Sequence, residues 1–363
     1  MKVAIVGISL ARGGAERSMA IQSRMLTEMG FEVHLIVLND AISYEFCGRI
    51  FNLGKLKTSQ ENNLKRFLRI RKLKNYLKAK EIEVVIDHRP KNNFKREIFY
   101  ANYIYHGIKT IYVTHNVNQV LLNKQGTSIF FKRIHKYPEL NVAVSKYIER
   151  EVLNKNGIPN TKTIHNAFDD KWKNQKFELP QLIKSKTYIL AYGRIDDEHK
   201  DYKFLLNSYM ESQLWKRNVY LIILGEGPDK NSLMDLAKSL GLSDFIVFIN
   251  YISQPFEIVK KSKYVTLTSR YEGFPMVLVE SLSLGIPVIS LDIKSGPNEI
   301  IKHGVNGLLV ESRNEKDFAK AMIAMFDDED LYNYCRSNSK KSIEQFSMKH
   351  ISELWAQSLN SIK

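Results

Sequence analysis

Short apolar runs alternate with helix-length segments along the whole chain, and the alternation starts again after residue 180. Alternating strands and helices are typical of parallel sheets covered by helices, so two series predict two such domains. A length of 363 residues agrees with two domains rather than one large core. The strand-like runs are 3–7, 32–38, 84–87, 110–114 and 140–144 in the first series, and 188–192, 219–224, 245–249, 264–268, 287–291 and 307–310 in the second.

The expected architecture is therefore α/β, with two Rossmann-like, doubly wound parallel-sheet domains facing each other across a cleft. The polar, lysine-rich stretch 169–186 is the natural linker, which predicts an N-terminal domain over 1–170 and a second domain over 171–345. Ligands of open parallel sheets bind at the carboxyl ends of the strands. Functional residues are thus expected directly after strands.

The excess positive charge lies in the first half of the chain. Residues 1–175 carry 30 Lys and Arg against 15 Asp and Glu, and the segment 65–80 has eight cations and no acid. This segment predicts a basic helix that is either a solvated surface or attracts an anionic membrane or a phosphate-bearing acceptor. Nucleic acid is not the expected partner, because the sequence has no helix-turn-helix, zinc-finger or aromatic-basic RNA motif.

Two cysteines, Cys47 and Cys335, are too few and too far apart for a disulfide scaffold or a zinc cluster. They are expected to be inert thiols in a reducing cytoplasm. No window approaches the roughly 20 apolar residues that span a bilayer. Membrane contact is therefore expected to be peripheral.

A glycine-bearing turn follows the first strand and opens a helix. Gly13 and Gly14 lack side chains, so a phosphate or sugar can approach the backbone there, next to a helix N-terminus that favours an anion. The spacing matches neither the dinucleotide fingerprint nor the Walker loop. A tight strand-to-helix turn without a ligand is the alternative.

Arg194 and Lys200 follow the first strand of the second series. They can converge on a diphosphate, the arginine as a fork and the lysine as a point charge, and stabilise a leaving group. Three intervening acids leave a surface salt-bridge cluster as an equal alternative.

Two glutamates flank a predicted helix start after the strand-like run 264–268. Glu272 lies in the turn and Glu280 in the helix, which suits hydroxyl groups of a nucleotide sugar whose phosphates lie at the helix N-terminus. Surface charges and a glycosidase-like acid/base pair are the alternatives. The candidate donor-binding residues between the glutamates are Gly273, Phe274, Pro275, Met276 and Val277.

These motifs together resemble the GT-B glycosyltransferases of the glycosyltransferase 4 (group 1) type, over nearly the whole chain. The matching features are the Gly-Gly-Ala-Glu turn at 13–16, Arg194 with Lys200, the Gly-Glu-Gly-Pro turn at 225–228, the paired glutamates, and the segments 296–301 and 304–310. The resemblance implies a metal-independent, cofactor-free retaining transferase that uses a nucleoside diphosphate sugar, usually a UDP-sugar. The acidic run 328–330 is accordingly not expected to hold a metal.

By the same resemblance, Arg194 and Lys200 would hold the diphosphate, Glu272 the sugar hydroxyls and Glu280 the ribose. Gly14 would border the phosphate and acceptor side. His115 matches a family histidine expected near the donor sugar, with a core or capping histidine as its alternative. The last helix, 346–363, would pack back on the first domain, with Trp355 and Leu359 as its anchoring side chains.

The function expected from these features is extension of a lipid-linked or growing glycan of a bacterial surface polysaccharide. The acceptor would be a glycan carried on a polyprenyl diphosphate, and the protein would lie on the cytoplasmic face of the cell membrane, held by its basic first half. A UDP-N-acetylglucosamine epimerase-like enzyme and a non-catalytic, basic polyanion-binding protein are the alternatives from other classes.

Overall fold

The computed structural model describes residues 1–58, 62–117, 129–169, 171 and 178–362. It divides into two compact units. The first comprises Met1–Ala167 together with Met348–Lys363, and the second comprises Phe168–Ser347. Seven residues of the predicted linker, 170 and 172–177, lie outside the described residues.

The first unit is built from strands and helices that alternate along the chain. Its strands are β1 Lys2–Gly7, β2 Glu32–Val37, β3 Arg49–Asn52, β4 Val84–Asp87, β5 Lys109–Thr114, β6 Leu140–Ala143 and β7 Thr161–Thr163. Its α-helices are α1 Gly14–Glu28, α2 Asn63–Ala79, α3 Phe94–Phe99 and α4 Ile129–Ile134, with π-helical turns at Tyr100–Ile104 and Ile148–Leu153. The described strands form one parallel sheet in the order β3-β2-β1-β4-β5-β6-β7.

The second unit repeats this plan. Its strands are β8 Thr187–Tyr192, β9 Val219–Leu224, β10 Ile246–Ile249, β11 Val265–Leu267, β12 Val288–Leu291 and β13 Gly307–Val310. Its helices are α5 Asp197–Lys200, α6 Tyr202–Ser212, α7 Lys230–Ser239, α8 Phe256–Lys261, α9 Met276–Ser283, α10 Pro297–Ile300, α11 Glu315–Asp327 and α12 Glu329–Asn338. The described strands form a parallel sheet in the order β10-β9-β8-β11-β12-β13.

The predicted strands are all present, with ends that differ by at most one residue. Two further strands were not predicted, β3 and β7. Both are short and lie at the two edges of the first sheet, and the Thr-Lys-Thr of β7 has no buried residue. An edge strand without a buried face carries no apolar signal that sequence reasoning could detect.

The last helix, α13 Met348–Ser361, belongs to the first unit although it follows the second in sequence. It packs against α1, and Trp355 and Leu359 are both buried. Lys162 of β7 donates to the hydroxyl of Ser358 at 2.9 Å.

The basic segment forms α2, which begins at an Asn62 cap and runs to Ala79. Leu73 and Leu77 are fully buried in the core of the first unit, whereas Leu64, Phe67 and Leu68 are exposed. The helix therefore carries apolar side chains on solvent-facing as well as core-facing positions. Within the described residues, no helix is long and apolar enough to cross a membrane.

Because one histidine is buried in its neutral form, we expect the free energy of unfolding to fall in acid. His135 is fully buried and donates from Nδ1 to Oδ1 of Asn141 at 2.7 Å, and burial lowers its pKa to about 4. Because the unfolded chain takes up this proton near pH 6.5 and the native chain does not, stability falls as the pH drops from about 6.5 towards 4. By pH 5 we expect His135 alone to cost roughly 2 kcal/mol.

Urea unfolding at pH 7 and pH 5 measures this loss. The variant His135→Gln retains an amide donor for Asn141 but does not titrate, so its stability should fall less between the two pH values. Equal pH dependence in both proteins would contradict the assignment.

Candidate functional site

The strand order of each sheet reverses at one place, and several predicted site residues lie in the loops that follow the strands flanking it. In the second unit the reversal is between β8 and β11, whose carboxyl ends lead into the loops that carry Arg194 and Glu272. In the first unit it is between β1 and β4. Where the connections from two neighbouring strands run in opposite directions, a crevice forms beyond the carboxyl ends of those strands. Ligands of open parallel sheets bind in this crevice.

Glu272 and Lys200 form a buried ion pair. The Lys200 ammonium lies 2.6 Å from Oε1 of Glu272, the Ser269 hydroxyl donates to the same oxygen at 2.7 Å, and His199 Nε2 is 3.7 Å away. Burial favours the neutral acid, but the Lys200 charge and the hydrogen bonds from Lys200 and Ser269 outweigh it, so the pKa of Glu272 is lowered. Glu272 is thus a carboxylate held in one position.

His199 orients the backbone next to this carboxylate. Its Nε2 donates to the carbonyl oxygen of Tyr271 at 2.7 Å, and its ring stacks on the Tyr271 ring with centroids 4.4 Å apart. The sequence analysis did not select His199. The only signal was its position next to Lys200, which does not distinguish it from an exposed surface histidine.

Arg194 is not part of the Glu272 cluster. Its side chain is exposed, and Nε lies 3.7 Å from Oδ2 of Asp196. The loop beneath it is braced by the glycine turn at 225–228, since Ile195 N donates to Glu226 O at 2.9 Å. A Cβ atom on Gly225 would lie 1.8 Å from the carbonyl oxygen of Gly193, so only glycine fits there.

Glu280 is buried inside α9, which begins directly after Pro275. The Tyr192 hydroxyl lies 3.0 Å from Oε2 of Glu280 and 3.0 Å from the Val277 carbonyl oxygen. Tyr192 ends β8, so the strand before the Arg194 loop holds the second glutamate. Among the predicted donor-binding residues, Gly273, Phe274, Pro275 and Met276 are buried and Val277 is half-buried.

Two further contacts brace the Glu272 loop, and the sequence analysis missed both. Arg313 donates to the carbonyl oxygens of Thr268 and Ser269 at 3.1 and 2.8 Å, and pairs with Asp201 at 2.5 Å. Gly296 has φ +97°, and a Cβ there would lie 2.4 Å from Cδ of Pro275. The Gly-Pro-Asn-Glu segment thus packs against the Glu272 loop from one side, and Arg313 anchors it from another.

In the first unit, Gly13 caps α1 and Gly14 is its first residue, as the turn predicts. A Cβ on Gly13 would lie 2.0 Å from Oε2 of Glu16, so this carboxyl group covers the glycine. Burial raises the pKa of Glu16. A phosphate that approached Gly13 would have to displace the Glu16 side chain.

His115 follows β5 directly and is half-buried. Its Nε2 lies 2.8 Å from Nδ1 of His88, which follows β4, and Nε2 of His88 lies 2.8 Å from Oε1 of Gln22 on α1. Burial and the nearby Lys91 ammonium lower the pKa of His115 to about 4. The sequence analysis found His115 but neither His88 nor Gln22.

A buried ionic cluster lies beside this histidine pair. Arg89 donates to both carboxylate oxygens of Asp87 at 3.1 and 2.6 Å and to Glu97 at 3.2 Å, and Lys91 lies 2.9 Å from Asp87. Arg89, Lys91, Asp87 and Glu97 are each at most 3% exposed. The Arg89 guanidinium also lies 3.5 Å from the ring centre of Tyr100.

The acidic run at 328–330 has a local role. Asp328 caps α12 and accepts a hydrogen bond from the backbone N–H of Leu331 at 2.9 Å. A capping carboxylate stabilises the N-terminus of the helix that follows it.

Two Rossmann-like parallel-sheet units of this kind define the GT-B fold. Comparison with solved structures also shows that this chain has the GT-B fold. The Anabaena protein HepE in complex with UDP-glucose superimposes with a TM-score of 0.79, covering 99% of this chain and all of that chain at 18% identity. TarM of S. aureus superimposes with a TM-score of 0.78 over 98% of both chains at 14% identity.

The family is shown by two family models that follow one another along the chain. "Glycosyltransferase Family 4" matches residues 12–172, and "Glycosyl transferases group 1" matches residues 173–342. The chain therefore belongs to the glycosyltransferases of the group 1 and family 4 type.

Curated relatives include transferases of bacterial glycans. An N-acetylgalactosamine-N,N'-diacetylbacillosaminyl-diphospho-undecaprenol 4-alpha-N-acetylgalactosaminyltransferase of Campylobacter jejuni is 29% identical over 95% of both chains. A lipopolysaccharide 1,6-galactosyltransferase of Escherichia coli is 34% identical over 48% of both chains.

Proposed function

We propose that this glycosyltransferase is a retaining, metal-independent enzyme that moves a hexose or N-acetylhexosamine from a UDP-sugar to a hydroxyl of a lipid-linked or growing bacterial glycan. The observation that carries the proposal is the buried Lys200–Glu272 pair at the strand-order reversal of the second unit. UDP as the nucleotide is supported by similar structures that contain UDP or UDP-glucose. A diphospho-undecaprenol acceptor is supported by the name of the Campylobacter relative.

The second unit supplies complementary groups for a sugar nucleotide. Glu272, a fixed carboxylate, accepts hydrogen bonds from sugar hydroxyls, and Glu280 accepts from the ribose. Lys200 and the exposed Arg194 supply positive charge for the diphosphate. The N-terminus of α9 adds backbone N–H groups that favour an anion.

In the proposed reaction the bond between the anomeric carbon and the diphosphate oxygen breaks as the acceptor oxygen bonds to the same face of the sugar. The acceptor proton passes to the departing diphosphate, so no protein nucleophile is needed. Arg194 and Lys200 stabilise the charge that grows on the leaving group and thereby lower the barrier.

Release of UDP from a panel of UDP-sugars tests this function. We expect one donor to be consumed, and consumption to require a lipid extract from bacterial membranes that contains polyprenyl diphosphate glycans. Glu272→Ala provides the background rate, and addition of EDTA should leave turnover unchanged. The anomeric configuration of the product, read by NMR, tests retention.

Three results would overturn parts of the proposal separately. A product of inverted configuration contradicts retention, and loss of turnover in EDTA contradicts metal independence. Absence of UDP release from every donor, with and without extract, contradicts the choice of UDP.

The basic helix α2 supports the peripheral membrane location. Arg66, Arg71 and Lys72 are exposed, and they lie on the same helix as the exposed Leu64 and Phe67. Cations attract anionic headgroups, and exposed apolar side chains can enter the interface between headgroups and acyl chains.

Co-sedimentation with vesicles containing phosphatidylglycerol tests this location. We expect binding at low salt, weaker binding at high salt, and at least about tenfold weaker binding for the double variant Arg66→Glu/Lys72→Glu. The control, Lys238→Glu/Lys316→Glu, changes the net charge equally at exposed positions of the second unit. Equal binding of the two variants would show that α2 is not the membrane contact.

A further inference from the structure

Asp201 follows Lys200 directly and has a left-handed backbone, with φ +53°, at the junction of α5 and α6. We propose that Asp201 is a positioning residue of the transferase, whose carboxylate fixes the segment of Lys200 against the loop of Glu272. It acts on the Lys200 ammonium through the fold and does not itself touch the substrate. The inference rests on the proposed transferase function.

The backbone of Asp201 is in a conformation that a side chain disfavours. Crowding between Cβ and the following carbonyl group affects every residue except glycine, although aspartate tolerates it better than most. Hydrogen bonds fix the conformation, since Asp201 N donates to the carbonyl oxygen of Asp197 at 2.9 Å and Leu205 N donates to that of Asp201 at 3.3 Å. Glycine meets the same backbone requirement without strain. Contacts of the Asp201 carboxylate therefore offset the strain.

The Asp201 carboxylate is buried between two arginines. The residue is 3% exposed, its Oδ2 accepts from Nη1 of Arg313 at 2.5 Å, and its Oδ1 lies 2.9 Å from Nη2 of Arg270. Each carboxylate oxygen thus has its own guanidinium partner. Movement away from either arginine would leave a buried charge with less compensation, which costs free energy. Asp201 therefore holds the two arginine side chains at a fixed place in the second unit.

The two arginines hold the segment 268–270, which leads to the glutamate of the ion pair. Arg313 donates to the carbonyl oxygens of residues 268 and 269 at 3.1 and 2.8 Å. The backbone N–H of Arg270 donates to the carbonyl oxygen of His199 at 2.8 Å. Because Asp201 pairs with both guanidinium groups, it connects this segment to the chain next to the lysine of the ion pair.

Thr268 joins the same segment to Lys200 directly. Its hydroxyl donates to the carbonyl oxygens of Lys200 and Asp201, at 3.0 and 3.1 Å. The next residue, Ser269, donates from its hydroxyl to Glu272 at 2.7 Å. Both members of the ion pair are thus attached to adjacent residues of one segment. A shift of this segment changes the 2.6 Å distance between Nζ of Lys200 and Oε1 of Glu272.

The expected effect is on kcat rather than on nucleotide binding. In the proposed reaction Lys200 stabilises charge that grows on the departing diphosphate, and this interaction is strongest in the transition state. A misplaced ammonium should therefore slow the chemical step. Glu280 and the N-terminus of α9, the other groups proposed to bind the nucleotide, are expected to stay in place when Asp201 is replaced.

Two variants of Asp201 test the proposal by steady-state UDP release with the productive donor. Asp201→Gly removes the carboxylate and also the backbone strain, whereas Asp201→Asn keeps the shape but not the charge. We expect kcat to fall about tenfold in both, with the KM for the donor changed less than about threefold. If Asp201 only shaped the turn, glycine would serve as well. A folded Asp201→Gly with kcat within about twofold of wild type, or a loss confined to KM, overturns the proposal.

Asn218→Gly is the matched control. Asn218 is exposed, has φ +57° and lies at the amino end of β9, whereas the ion pair follows the carboxyl ends of β8 and β11. Glycine there relieves the same kind of strain and should leave the kinetics as in wild type. An equal loss of kcat in this control also overturns the proposal. Circular dichroism verifies folding, and if Asp201→Gly does not fold, Asp201→Asn decides by the same criteria.

NMR of the lysine ammonium groups tests the position of Lys200 without any need for activity. In protein labelled with ¹⁵N-lysine, the ammonium that is hydrogen-bonded to Glu272 should give a signal distinct from those of exposed lysines, and Lys200→Arg assigns it. We expect this signal to move to the position of the exposed lysines, or to disappear, in Asp201→Gly and to stay unchanged in Asn218→Gly.

An unchanged Lys200 signal in Asp201→Gly, or the lack of a distinct signal in wild type, overturns the proposal. If wild-type protein turns over no donor at all, the proposed transferase function fails. The spectrum of Lys200 then still decides whether Asp201 positions the ion pair.

Discussion

Replacing Glu272 with alanine is expected to reduce kcat/KM for sugar transfer by about 100- to 1,000-fold. The carboxylate is buried and held by Lys200 and Ser269 at 2.6 and 2.7 Å, so its oxygens are already oriented before a substrate arrives. Alanine removes these acceptors and also leaves the Lys200 ammonium without its carboxylate partner. Steady-state UDP release with the productive donor measures the effect.

Three variants separate the possible reasons for such a loss. Glu272→Gln preserves one acceptor oxygen but not the charge, so its activity should lie between wild type and alanine. Because Lys200 and Glu272 contact each other, Lys200→Ala/Glu272→Ala should lose less than the two single losses combined. Glu329→Ala, an exposed glutamate of the same unit, should behave as wild type. Activity of Glu272→Ala above half of wild type would exclude Glu272 from the site.

Replacing Arg89 with methionine is expected to destabilise the first unit by about 3–5 kcal/mol. Methionine fills a similar volume but leaves Asp87 and Glu97 buried without the guanidinium that pairs with both. The paired cations lower the pKa of Asp87 although burial opposes them. Without Arg89, Lys91 still pairs with Asp87 and Arg96 with Glu97. The guanidinium hydrogen bonds to both buried carboxylates are lost, however, and buried acceptors without their donors cost free energy.

Urea unfolding of the full chain, followed by circular dichroism, measures this loss. Arg71→Met is the matched control, because Arg71 is exposed on α2 of the same unit and should change stability by less than about 0.5 kcal/mol. Adding Glu97→Gln to Arg89→Met replaces a buried carboxylate that has lost its Arg89 partner with a neutral amide, and should recover part of the loss. A cost below about 1 kcal/mol for Arg89→Met would show that the cluster is not a paired network.

The strands and the parallel architecture could be predicted because buried strands are continuous apolar runs. The edge strands β3 and β7 could not, since neither has a fully buried face to mark it. Motifs found directly after strands, such as the Glu272 turn and His115, were predictable because the apolar runs before them mark where the strands end. Their position depends only on where a strand ends.

The partners of those residues were not predictable. His88 contacts Gln22 across 66 residues, and Arg313 contacts Asp201 across 112 residues. Neither Gln22 nor Arg313 belongs to a motif, and each has an ordinary surface or helix interpretation when it is considered alone. The contact of the exposed Arg194 side chain with Asp196 was likewise not predicted, and the convergence of Arg194 and Lys200 on a diphosphate stays a prediction.

The sequence by itself therefore determined the two α/β units, their buried strands and the family to which the chain belongs, because these depend on local periodicity and on motifs of fixed spacing. The tertiary structure alone decided that Lys200 pairs with Glu272 and that His88 lies against His115. These contacts depend on strand order, which brings distant segments to one sheet edge. No local pattern of residues encodes that order.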